Sequence, residues 1–269
     1  MVNRAPIMKK PEVKIFLIYL LLIAVAEIVT SFVNPTYGLL IHSMLLVSLL
    51  TLSAFWHKTN KFSNLYLCLS IAPLIRIFSL SLPLECLPSY AWYLVAGVPM
   101  LIAAAAVIRL EGLKLKDVGL TSKKPKVQLV IMLTGIPFGI TEYFILKPTA
   151  FAASFSTINF VLLAIGFIIA TGFAEELVFR GVFQNNATKA LGNKAGLIVV
   201  AMVFAALHIG WLQMADVAFV FAVGLFFGVL ALKTGSIAGV SLSHGFTNVF
   251  LFLIMPSFKV SFLTLLLIR

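Results

Sequence analysis

Long apolar runs alternate with short polar connections along most of the chain. The apolar runs cover 15–33, 38–56, 65–84, 90–108, 127–146, 157–180, 196–208, 216–232 and 236–255. A membrane-spanning helix needs roughly 20 predominantly apolar residues. The seventh run is the shortest, so its crossing is the least supported by length. The runs are rich in Leu, Ala and Phe and show no period-two alternation, which predicts helices and not barrel strands. A last apolar piece, 261–268, is too short to span and is expected at the interface or against a neighbouring helix. The predicted fold is all-α, a polytopic transmembrane helical bundle of about eight to nine spans.

The connections carry a strong charge asymmetry. Arg4, Lys9, Lys10 and Lys14 precede the first run, and Lys58 and Lys61 follow the second. Arg109, Lys114, Lys116, Lys123, Lys124 and Lys126 follow the fourth, Lys189 and Lys194 the sixth, and Lys233 the eighth. If every run crosses, all of these fall on one side, and the other side holds Glu85, Lys147, Asp216 and the tail residues Lys259 and Arg269. Lys and Arg accumulate in cytoplasmic loops, so the N-terminus is expected in the cytoplasm of a multi-pass protein of the cell membrane. The polar, basic segment 109–126 is the only sizeable linker. It divides an N-terminal transmembrane region with its linker, 1–126, from a membrane core, 127–255, and a C-terminal tail, 256–269.

Composition agrees with this picture. The 269 residues are 61% hydrophobic and only 11% charged, where a soluble domain carries about a quarter. The net charge of +11 would suggest nucleic acid in a soluble protein; in spans and short loops it reads as cytoplasmic loop charge, with no nucleic-acid partner. Two cysteines, Cys68 and Cys86, are too few for a disulfide framework or a multi-cysteine metal site. The first apolar run is too long for a signal-peptide core of roughly 7–15 residues, and is expected to be a retained span.

Ionisable groups at membrane depth are expensive and need a reason. In the sixth run, Glu175 and Glu176 are adjacent and so point about 100° apart on a helix. Glu176 and Arg180 stand i,i+4 with the acid first, the favourable ion-pair order, which leaves Glu175 to face the bundle. His208 ends the seventh run behind Ala205 and Ala206. His244 and Asn248 stand i,i+4 on one face of the ninth. At a rise of about 1.5 Å per residue these groups on three helices share one layer, 12–18 Å deep as an order of magnitude. A carboxylate and an imidazole can deprotonate a water, and further donors can hold an oxyanion. Glu175, His208 and His244 are also competent ligands for one divalent metal such as zinc. No serine or cysteine sits at a spacing that marks a nucleophile. Ser241 and Ser243 read as packing or interhelical bonding, and Gly224 with Gly228 as a small-residue packing pattern.

The set Glu175-Glu176-x-x-x-Arg180, Phe204-x-x-x-His208 and His244-x-x-x-Asn248 resembles the CPBP family of intramembrane proteases. That family holds the type II CAAX prenyl endopeptidases and the Abi-like, bacteriocin-processing proteins. The resemblance covers roughly 127–255 and leaves the first four spans outside. It implies an endopeptidase acting on a membrane-associated peptide or lipidated protein, CAAX-prenylated or bacteriocin-like. Glu175 would be the general base, with His208 helping to activate the water. His244 and Asn248 would form the oxyanion hole, with Glu176 and Arg180 supporting the site. Such proteins are often called metalloproteases, and the sequence does not decide whether a metal is bound.

Outside this set, Glu27 and Arg76 fall at similar depth and are expected to form a buried ion pair. His42 reads as a packed polar residue, His57 as a loop residue, and Glu142 has no assigned role. A non-enzymatic membrane immunity or scaffold protein is the competing reading. A proton-coupled transporter is less favoured, because neither an inverted repeat nor matching broken helices is visible.

Overall fold

The computed structural model describes residues 11–56, 62–82, 86–151 and 156–258. Arg4, Lys9, Lys10, His57, Lys58, Lys61, Glu85, Lys259, Arg269 and the apolar piece 261–268 lie outside the described residues. Among the described residues the protein is all-α, with no strand. Nine helices among them are long and apolar enough to cross a membrane: α1 Pro11–Val33, α2 Pro35–Phe55, α3 Phe62–Ser81, α4 Tyr90–Leu110, α5 Pro125–Leu146, α6 Thr157–Leu191, α7 Asn193–Trp211, α8 Met214–Thr234 and α9 Ala238–Phe258. Large apolar side chains such as Phe32, Met44, Val130 and Leu162 stand exposed along them, as a lipid-facing surface requires. The largest difference from expectation is at the end of α6, which runs on to Leu191; α1 begins four residues early and α7 gains three at each end. The added part of α6 is polar, so hydropathy alone ends it early. Two of its polar side chains bond to neighbours: Gln184 Nε2 donates to Gly228 O at 3.0 Å and Asn186 Nδ2 to Glu111 Oε2 at 2.8 Å.

The chain forms two compact units. Unit one comprises Met1–Leu82, Val107–Gly112 and Val182–Gly228. Its turn between α1 and α2 is set locally: Pro35 occupies the first turn of α2, and the Asn34 side chain accepts from the Thr36 and Tyr37 amides. The expected ion pair is present inside this unit. Glu27 is fully buried, and its carboxylate lies 2.6 Å from Arg76 Nη2 and accepts from Arg76 Nε at 3.0 Å. The buried His42 adds its Nε2 at 3.4 Å from Glu27 Oε1. Gly228 packs under the Gln184 side chain, in line with the packing role expected of it.

Unit two comprises Pro83–Ala106, Leu113–Gly181 and Val229–Arg269. The helix α9 is its most buried span. Gly135 and Gly139 of α5 lie directly against the backbone of α9 at Ser243 and Thr247, and Gly172 of α6 lies against Ser241 and Gly245. With no side chains between them, the backbones approach closely. Ser243 bonds across helices to Thr134, Oγ to Oγ, at 2.9 Å. An apolar cluster of Tyr143, Leu163, Phe167, Val249, Leu251 and Phe252 closes one end. The basic linker is stitched to the turn between α8 and α9: Ile237 N donates to Gly119 O, Thr121 Oγ1 to Gly235 O, and Ser236 Oγ to Thr121 O, each at 2.9–3.0 Å.

Candidate active site

The middle of α6 is not regular α-helix. Ile168–Phe173 is π-helical, Ala174–Glu176 is a short α segment, and Leu177–Phe183 is π-helical again. Such wide turns are rare and recur at functional sites. Here they flank the two glutamates.

Glu176 is fully buried and turns toward α9. Its Oε1 accepts from Arg180 Nη1 at 2.9 Å and from His244 Nδ1 at 2.9 Å. The i,i+4 pair expected from the sequence is therefore present, and it has a third member that the sequence did not reveal. An ionised carboxylate can only accept, so the proton of this bond sits on His244 Nδ1. That bond fixes the ring and directs Nε2 to the opposite side.

Glu175 lies there. Its side chain is 20% exposed, against 0% for Glu176, and its Oε2 stands 3.8 Å from His244 Nε2. This gap is too long for a direct hydrogen bond. One water at about 2.8 Å from each atom would bridge it. Asn248, one turn beyond His244, donates from Nδ2 to Thr171 Oγ1 at 2.8 Å. Thr171 spends its own proton on Phe167 O at 2.6 Å, so the threonine is a pure acceptor for the amide. Thr171 was not singled out by the sequence reading; as a lone threonine in an apolar run it carries no signal until α9 is placed beside it.

Unit two thus brings together Glu175, Glu176, Arg180, His244 and Asn248. His208 belongs to unit one, where its Nδ1 lies 2.9 Å from Phe204 O, its i−4 carbonyl. Its ring also rests against the Phe204 ring, with centroids 4.9 Å apart.

An apolar cavity of about 540 Å³ lies within unit two. It is lined by Leu120, Ile168, Phe173, Ile237, Ser241 and Leu242, among others. Phe173 and Ser241 tie the cavity to the same two helices, α6 and α9, that carry Glu175 and His244. Its size falls in the range of sites that enclose small or extended apolar ligands.

Among the described residues no group of three or more His, Cys, Asp or Glu side chains is arranged to hold an ion. His244 Nδ1 faces Glu176, which leaves Nε2 as the ring atom turned toward Glu175.

The fold and this group define a class: a multi-pass helical membrane protein with a carboxylate and an imidazole side by side, 3.8 Å apart. Residues 157–250 match the family model described as type II CAAX prenyl endopeptidase Rce1-like. This match contains every motif on which the resemblance rests, and it bears out that reading. The matched family is one of endopeptidases, and the match covers about a third of the chain. Comparison with curated proteins and with solved structures finds no match.

Proposed function

We propose that the protein is an intramembrane endopeptidase that hydrolyses a peptide bond in a membrane-associated substrate by means of a water activated at Glu175. The observation that carries this reading is the 3.8 Å gap between Glu175 Oε2 and His244 Nε2, with His244 held from behind by Glu176. Glu175 takes one proton from the water as its oxygen attacks the carbonyl carbon. The developing oxyanion accepts from His244 Nε2–H in the protonated ring and from the Asn248 amide, whose second N–H points elsewhere than Thr171. In that form two carboxylates, one guanidinium and one imidazolium sum to zero, which suits a buried site. When the C–N bond breaks, Glu175 returns its proton to the leaving amine. His208 assists water activation in this scheme on the strength of its motif. The substrate is a peptide or lipidated protein, CAAX-prenylated or bacteriocin-like, whose apolar portion occupies the cavity beside Phe173 and Ser241.

Purified protein in detergent is expected to cleave a peptide of this kind, with mass spectrometry locating the cut. Glu175→Gln is expected to lower the rate by at least a thousandfold, by analogy with the loss of other catalytic groups, and to leave the thermal unfolding midpoint unchanged. Full activity in that variant would overturn the mechanism. Substrate binding without cleavage by the native chain would favour the immunity or scaffold reading.

A further inference from the structure

The end of α7 carries His208, and its backbone is anchored from a distance. Helical backbone stops at Ala206, Leu207 caps the helix, and a tight 3-10 turn, Ile209–Trp211, follows. The last carbonyls of a helix lack intrahelical partners, and in apolar surroundings an unsatisfied carbonyl is costly. Arg76 of α3 supplies the partner: its Nη2 donates to Leu207 O at 2.8 Å. A cation at a helix C-terminus is favoured by the helix dipole as well.

The same guanidinium is fixed at its other edge by Glu27, through the contacts of 3.0 Å to Nε and 2.6 Å to Nη2. His42 backs Glu27 at 3.4 Å. Gly210 leaves room beside this guanidinium: a Cβ there would stand 3.9 Å from both Nη atoms. Arg76 therefore spans from a buried carboxylate on α1 to the residue immediately before His208. All of these groups lie within unit one.

We infer that Arg76, anchored by Glu27, is a positioning residue for His208: it locks the end of α7 and thereby fixes how the imidazole is presented. This inference rests on the reading of His208 as a participant in hydrolysis. The planar fork of arginine is what permits one group to serve carboxylate and carbonyl together. An ammonium is a point charge on a flexible stem and cannot reproduce the span.

Arg76→Lys tests this, because it keeps the charge opposite Glu27 and loses the fork. Arg76→Met serves as the stronger variant if it folds. For Arg76→Lys, kcat for peptide cleavage is expected to fall about 10- to 100-fold with KM nearly unchanged, as for small misplacements of a catalytic group. In a His208→Ala background the same change is expected to cost less than about twofold, because its route of action is already gone. Equal losses in both backgrounds would show a general structural role and overturn the proposal. A second readout does not depend on cleavage. In nitrogen-labelled histidine spectra, with the His208 signals assigned from His208→Ala, Arg76→Lys is expected to move the His208 ring signals and leave those of His244 in place. Unmoved His208 signals overturn the proposal. Moved signals in a protein that cleaves nothing support the positioning and sink the peptidase reading alone.

Discussion

Glu175 and Glu176 are neighbours in sequence and differ in surroundings. Glu176 holds two donors with one oxygen and meets no solvent, while Glu175 keeps an exposed edge. Removing the charge of Glu176 would leave Arg180 buried against a weaker acceptor and His244 without its anchor. Breaking a buried pair in this way typically costs about 3–5 kcal/mol. Glu176→Gln is therefore expected to lower both the unfolding midpoint and the activity, whereas Glu175→Gln lowers activity alone; thermal unfolding in detergent beside the cleavage assay separates them. The sequence allowed the i,i+4 partnership with Arg180 to be read, because helical spacing is local. The bond from Glu176 to His244 joins residues far apart in the chain, so only the packing of α6 on α9 reveals it. A pH effect belongs to Glu111, just past the end of α4. Burial pushes its carboxyl above the usual glutamate range, and this outweighs the lowering from Asn186, Cys68 and Lys189. A raised value means that the folded state holds the proton more tightly. The associated stability is fully present below the ordinary glutamate value and is lost as pH rises through the raised one. Glu111→Gln is expected to flatten the fall in the unfolding midpoint across that window.

The nine spans were legible because lipid demands long apolar helices, and all but the C-terminal end of α6 lie where hydropathy puts them to within a few residues. The π-helical stretches on either side of Ala174–Glu176 were not legible. Their cause is tertiary: α9 must pass close to α6, and the wide turns re-aim the side chains between them. Gly172 permits that approach. A Cβ at this position would fall 2.5 Å from Ser241 O and 2.6 Å from Gly245 N, both backbone atoms that cannot swing aside. Gly172→Ala is expected to force α6 and α9 apart and to widen the gap between Glu175 and His244. Overpacking of this sort typically costs about 1–3 kcal/mol, so the variant should fold with a lowered midpoint and lose most of its activity. Ile169→Val in the same π-helical stretch is the control, since Ile169 is half exposed. It is expected to change neither quantity. Equal effects of the two would show that the approach of the backbones does not govern the site.

For the whole molecule the open quantity is which face of the membrane the basic connections occupy. Of the connections that carry cations, the linker 109–126 has the most, and its lysines at 114, 116, 123, 124 and 126 stand against only Glu111 and Asp117. Positive loops stay in the cytoplasm during insertion, and the linker follows α4. With four crossings before it, the linker shares a side with the N-terminus, and the connection between α3 and α4 lies on the other. Nature has placed a probe in that connection. Cys86 is exposed there, while the second cysteine, Cys68, is buried among Asn186 and Glu111. A buried thiol reacts slowly and an exposed one reacts readily. A membrane-impermeant maleimide is therefore expected to label the native chain in intact cells, and Cys86→Ser is expected to abolish the labelling. In that cysteine-poor background, Lys116→Cys should react in inverted vesicles and not in intact cells. The reverse pattern would place the linker outside. The cavity lined by Leu120 and Thr121 would then open away from the cytoplasm, and a cytoplasmic lipidated peptide could not be its occupant.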